Sequence, residues 1–166
     1  MPDDDDRMPL AYGLTDPIDL AINRLPHALD RFRIAHLSDL HLRKRTKRLD
    51  RLINQLAKLR LDLGVLTGDY MLRNNSLADT QALPYLRDLT SAVRPKLGWY
   101  GVFGNHDSPS LRRSLTALPI HWLVDQGSQV PGLPLHVWGA DTRYVSRSTD
   151  AVILAASLAD DLGRAD

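Results

Sequence analysis

Two kinds of apolar pattern alternate along this chain. Short apolar runs occur at Arg31–Leu37, Leu61–Leu66 and Trp99–Phe103, and between them apolar residues recur every three or four positions. The short runs predict buried strands and the periodic stretches predict helices. In the first strand Phe32, Ile34, Ala35 and Leu37 are the apolar members. Leu49, Leu52, Ile53, Leu56 and Leu59 form one stripe of a helix that should cover a sheet face. A second helix is expected from about Asp79 to Val93, with Pro84 in its first turn, Leu86, Leu89 and Val93 inward, and Pro95 as its stop. Ser108-Pro109 supplies a cap and a first-turn proline for a third helix bearing Leu111, Leu115 and Leu118. His121–Val124 and Leu135–Ala140 read as strands, separated by the turn-rich Gln126-Gly127-Ser128 and Pro131-Gly132-Leu133-Pro134. Asp141 should end the last of these, and Ala151–Leu162 should form a further helix. Residues 1–30, with four aspartates and Pro2, Pro9, Pro17 and Pro26, read as irregular apart from a short edge strand at Asp19–Ile22. Residues 31–166 then make one α/β domain.

Each of the first three strands runs into a polar turn. These turns are Asp39-Leu40-His41, Thr67-Gly68-Asp69-Tyr70 and Gly104-Asn105-His106-Asp107. Carboxylates, imidazoles and an amide at strand ends are poor for packing and good for chemistry, because buried polar groups are costly unless paired. Asp39 and His41 stand two apart, a spacing that puts both side chains on one side of an extended segment. Gly68 permits a tight turn from which Asp69 projects. Strand, helix, strand, helix, strand with short connections implies a parallel sheet, and in such sheets sites gather at the carboxyl ends of strands. Asp39, His41, Asp69, Asn105, His106 and Asp107 are therefore expected on one rim. Each has a plain structural alternative: helix caps for Asp39 and Asp69, a turn for Asn105, a surface pair for His106 and Asp107. One such coincidence is ordinary; three on consecutive strands are not. His36, His121 and His136 alternate with apolar neighbours and read as packed or hydrogen-bonded strand residues.

Composition narrows the chemistry. The 166 residues correspond to one domain or most of one, and 43% apolar with 25% charged residues suits a globular core. A net charge of +1 gives no bulk argument for nucleic acid. Cysteine is absent, so any metal must be held by His, Asp, Glu or Asn, which favours Mn, Mg, Fe or Zn. The acidic start lacks the basic and then apolar pattern of a secretory signal, and no apolar run approaches the ~20 residues of a membrane span. A cytoplasmic protein is expected. Arg43, Lys44, Arg45, Lys47, Arg48 and Arg51 form a basic cluster, read as a solvated helix start or as a surface that attracts an anionic substrate or membrane. A nucleotide-binding α/β domain is disfavoured, since no glycine-rich phosphate loop is present.

The three turns together resemble the calcineurin-like metallophosphoesterases. The matching motifs are Asp39-Leu40-His41, Gly68-Asp69 and Gly104-Asn105-His106-Asp107. The wording Ile34-Ala35-His36-Leu37-Ser38-Asp39-Leu40-His41 and Leu63-Gly64-Val65-Leu66-Thr67-Gly68-Asp69 is similar to the bacterial branch that includes membrane-associated phosphodiesterases. The resemblance covers roughly residues 30 to 141. It implies a layered α-β-β-α sandwich and hydrolysis of phosphate mono- or diesters by a hydroxide generated at two divalent cations. It further implies that Asp39 and His41 bind one ion, Asp69 bridges two, Asn105 binds the second, His106 faces the substrate phosphate, and Asp107 orients His106.

The family's later motifs, an isolated histidine and a Gly-His-x-His segment, have no counterpart among His27, His36, His41, His106, His121 and His136. The chain is accordingly expected to be the amino-terminal part of the domain, truncated at its C-terminus. Two expectations follow: weak or absent hydrolysis from an under-liganded site, and self-association through an incomplete second sheet. The competing function is a catalytically inactive metal-binding or interaction module.

Overall fold

The computed structural model describes residues 17–71 and 76–140, without the side chains of 76–81. Four parallel strands form the central sheet in the order β1 (Ile34–Leu37), β2 (Leu63–Leu66), β3 (Trp99–Gly101), β4 (Ile120–Trp122). Each connection passes through a helix: α1 (Lys47–Leu56), α2 (Ser76–Ala92) and α3 (Pro109–Leu115). An antiparallel pair, β5 (Gln126–Gln129) and β6 (His136–Gly139), completes the described structure.

Sequential strand order with successive crossovers places all three helices on one face of the sheet. The packing agrees. Leu49, Leu52, Ile53 and Leu56 of α1, Leu86 and Leu89 of α2, and Leu111 and Leu115 of α3 share one core with Ala35, Leu37, Leu66 and Trp99 from the strands. The opposite face is a second core, in which Leu63, Val65 and Tyr100 meet Leu29, Val130, Leu135 and Val137. Strands buried on both faces explain why β2 and β3 read as continuous apolar runs. The layers are therefore helices, parallel sheet and hairpin. This mixed α/β arrangement agrees with the first three layers of the α-β-β-α sandwich expected from the resemblance; the fourth has no counterpart among the described residues.

Local chemistry sets the element ends. Thr46 caps α1 by accepting a hydrogen bond from Leu49 N–H, and Ser108 caps α3 by accepting one from Leu111 N–H. Gly64 lies opposite Trp99 in register, where a Cβ would fall 2.2 Å from the indole. The Trp99 indole N–H in turn donates to the Val93 carbonyl at 2.9 Å, tying β3 to the exit of α2.

Several elements differ from expectation. Asp19–Ile22 is not a strand; Ile18, Leu20 and Ile22 are exposed, and the first helical element among the described residues is a 3-10 turn at His27–Leu29. Pro84 lies inside α2, which starts at Ser76. A mid-helix proline removes one backbone bond at about 3 kcal/mol; full burial of Leu86 and Leu89 just beyond it offsets that. Leu59 is exposed because α1 ends at Leu56, before the stripe reaches it. Gln126–Gln129, polar and glycine-containing, is strand β5 and not a turn, because β6 supplies its ladder. The expected end at Asp141 and helix at Ala151–Leu162 lie outside the described residues.

Candidate metal centre

The polar turns leave β1, β2 and β3 at the same end of the sheet. Parallel pairing continues past the strands and holds the first two together. Asp39 N–H donates to the Gly68 carbonyl at 3.2 Å, His41 N–H to Asp69 at 3.0 Å and Leu42 N–H to Tyr70 at 2.7 Å. The third turn joins by close glycine packing. A Cβ on Gly68 would lie 2.3 Å from Gly104 N, and one on Gly104 would lie 2.0 Å from Asp69 Oδ1. Neither glycine admits a side chain without moving the backbone of the other turn.

Asp39, His41 and Asp69 bring one ligand atom each within 4.8 Å of one another. They do not converge in the expected way. The segment is not extended: Asp39 has φ 53°, His41 φ 44° and Asp69 φ 53°, all in the left-handed region. Such backbone costs of order 1–2 kcal/mol per non-glycine residue, though aspartate tolerates it better than most. Strain of this kind collects at functional sites. Here it aims both side chains at one point while Leu40 between them turns into the core.

The donor set suits a divalent cation. His41 Nδ1 is 3.1 Å from the Met71 carbonyl, which can only accept, so Nδ1 carries the proton. Nε2 is the nitrogen turned toward the site, 3.8 Å from Asp39 Oδ1. This tautomer-fixing contact is the usual support for a metal-ligating histidine. Asp69 is buried at 6% exposure, whereas the Asp39 side chain is 56% exposed, so the centre is closed beneath and open to solvent above. Ser38 Oγ donates to Asp39 Oδ2.

The third turn places His106 beside this group. Its backbone N–H donates to Asp69 Oδ1 at 3.0 Å, and its ring stands nearly perpendicular to His41 with centroids 5.8 Å apart. Asn105 is exposed on the same turn. Asp107 has a different set of partners from the one expected. Its carboxylate is 2% exposed and accepts from the backbone N–H groups of Asp69 (3.0 Å), Tyr70 (2.8 Å) and Gly104 (2.8 Å). It clamps the second turn to the third, and so positions Asp69. Burial pushes this carboxyl up to about 6; the hydrogen bond from Gly104 and that from Tyr70 pull it down, and the charge of Asp69 pushes it further up.

Three contributors beneath the site were not evident from the sequence. Tyr70 is fully buried and its hydroxyl donates to the Val102 carbonyl at 2.7 Å, linking the second and third turns; burial holds its phenol well above the usual range. The Met71 carbonyl orients His41. Arg112 donates to two carbonyls of the third turn. A backbone carbonyl has no sequence signature, and Tyr70 stands in the sequence only as the last residue of a polar turn, with nothing to mark its burial. His36, read as a strand residue, is exposed and pairs with Thr67 Oγ1 at 3.0 Å, and His121 stacks on Tyr100.

The sequence profile of the calcineurin-like phosphoesterases matches residues 32–150, most of the chain and all three turns. The chain belongs to this family. Curated relatives agree in part of their length. A transmembrane protein with metallophosphoesterase domain from Danio rerio is 31% identical over 94 residues, covering 54% of this chain and 20% of that protein. The uncharacterized metallophosphoesterase YkoQ of Bacillus subtilis is 35% identical over 80 residues, covering 48% of this chain and 28% of that protein. The chain thus aligns with between a fifth and a third of these relatives. Among its described residues, no helix is long and apolar enough to cross a membrane.

Proposed function

We propose that this protein hydrolyses phosphate esters, diesters in particular, at a centre of two divalent cations. The observation that carries this reading is the convergence of Asp39, His41 and Asp69 within 4.8 Å, at the carboxyl ends of parallel strands, in a chain of this family. Asp39 and His41 would hold one ion, Asp69 would bridge and Asn105 would serve the second. Bound there, Mn, Fe, Zn or Mg would neutralise phosphate charge and lower the pKa of water. The protein's own groups do the rest. The Met71 carbonyl holds His41 through Nδ1 and so turns Nε2 toward the ion site, and Asp107 fixes the Asp69 backbone. His106, partly buried beside His41, is placed to hydrogen-bond a phosphate oxygen or protonate the leaving oxygen.

A second reading, metal binding without turnover, is favoured by one observation. Among the described residues Asp39, His41 and Asp69 form the only such group of His, Asp or Glu, which leaves the second ion to Asp69 and Asn105. We place the protein in the cytoplasm. Its segment Arg43–Arg51, six cations to one acid, would face anionic substrate or membrane, although Arg45 is already paired with Asp50 and Asp88.

The test is hydrolysis of bis(p-nitrophenyl) phosphate with Mn2+, alongside Asp69→Asn and calorimetric metal binding. Turnover abolished by the variant supports the first reading. Metal binding without turnover selects the second, and absence of metal binding refutes both.

A further inference from the structure

We infer that Arg112 is a positioning residue for the Asn105-His106 tip. Gly104 to Asp107 is a tight turn in which Asp107 N–H donates to the Gly104 carbonyl at 3.3 Å. Asn105 and His106 are its two central residues. Arg112, one turn into α3, reaches back and holds both ends of it. Its guanidinium donates to the Gly104 carbonyl at 2.9 Å and to the Asp107 carbonyl at 3.0 Å. It also lies over the Phe103 ring, 5.2 Å from the centroid, and that ring stacks on Trp122 at 4.4 Å. The guanidinium fork is planar and rigid, and its plane is fixed from below by the aromatic stack.

The geometry gives this clamp a direction. The carbonyls that flank the tip are drawn toward α3. On the other side of the tip, His106 N–H donates to Asp69 Oδ1. The tip is therefore held between the guanidinium and the Asp69 carboxylate. Removing the guanidinium frees one side only, and the residues that lose definition are Asn105 and His106. The inference rests on the proposed function only for its catalytic consequence; the structural part stands apart from it.

Two measurements on the full chain separate these. The first is amide hydrogen exchange by NMR in Arg112→Met and Arg112→Lys, the methionine keeping the apolar stem over Phe103. In Arg112→Met the His106 amide should exchange roughly tenfold faster or more, while Val65 and Leu66 in β2 are unchanged; Arg112→Lys should fall between. A merely structural role would accelerate the core amides equally, and that result, or an unchanged His106 amide, overturns the inference. The second is hydrolysis of bis(p-nitrophenyl) phosphate with Mn2+. Arg112→Met should lower kcat roughly tenfold or more with KM little changed, since tip placement governs the reacting geometry and not capture of the anion. A raised KM at constant kcat contradicts this. If the wild-type chain does not turn over, the hydrolytic reading fails while the exchange result still decides the role of Arg112.

Discussion

Replacing Gly104 by alanine tests the packing that holds the candidate centre together. The Cβ would lie 2.0 Å from Asp69 Oδ1 and 2.3 Å from Asp69 N, where ordinary contact begins at 3.4 Å. The shortfalls are 1.4 Å (3.4 minus 2.0) and 1.1 Å (3.4 minus 2.3). A rotamer change could move the carboxylate but not the backbone nitrogen, so the second and third turns must separate. Overpacking of this kind costs about 1–3 kcal/mol. The shift also strains the bonds from Gly104 N–H to Asp107 and from His106 N–H to Asp69 Oδ1, each worth about 1.5–3 kcal/mol when the acceptor is charged. A loss of roughly 3–5 kcal/mol in folding stability is expected, with Mn2+ affinity reduced about 10–100-fold as the ligand is displaced. Urea denaturation and calorimetric Mn2+ titration read these two quantities. Gly132→Ala is the control. Its φ is 74° but nothing lies within 4 Å of the added carbon, so it should cost about 1 kcal/mol and leave the metal untouched. A Gly104→Ala protein as stable as wild type, with equal Mn2+ affinity, would refute the reasoning.

Further consequences can be checked one by one. The Asp107 carboxyl is raised from 3.8 to about 6 in the folded chain, so below pH 3.8 its contribution is fully present and it is lost as pH climbs through 6. That rise corresponds to about 3 kcal/mol; urea denaturation of the metal-free protein should show wild type losing this much between pH 3.5 and 7 relative to Asp107→Asn, and parallel curves would refute it. Tyr70→Phe removes the donor to the Val102 carbonyl and should cost about 1–2 kcal/mol in urea denaturation, with no effect on Mn2+ stoichiometry. Charge reversal at Arg43 and Lys47 should weaken sedimentation with phosphatidylserine vesicles, most clearly at low salt; unaltered sedimentation would remove the membrane-facing role of this segment.

Much of this architecture is legible in the residues, and the reasons for the remainder are physical. β1, β2 and β3 are apolar enough to be recognised because they are buried, and the stripe from Leu49 to Leu56 marks one face of α1. The turns stand out because polar residues break those runs abruptly. What escapes is whatever depends on distant partners. β5 carries no apolar alternation of its own and exists because β6 pairs with it. α2 runs through Pro84 because tertiary burial outweighs one lost backbone bond. Asp39 and His41 meet through left-handed backbone, which no two-residue spacing rule describes. The family resemblance implies that Asp107 orients His106, whereas its oxygens accept from three backbone N–H groups. Arg112 lies in an amphipathic helix like any surface arginine, and its reach to Gly104 is a property of the folded turn alone.

The central claim is that three β-α turns assemble one cation centre, and Mn2+-induced paramagnetic broadening of assigned amide resonances tests it most directly. Substoichiometric Mn2+ should broaden the amides of Asp39, His41, Asp69 and His106 first, and Asp69→Asn should abolish the effect. Broadening confined to the aspartates at residues 3–6, or a pattern unaltered by Asp69→Asn, would contradict it.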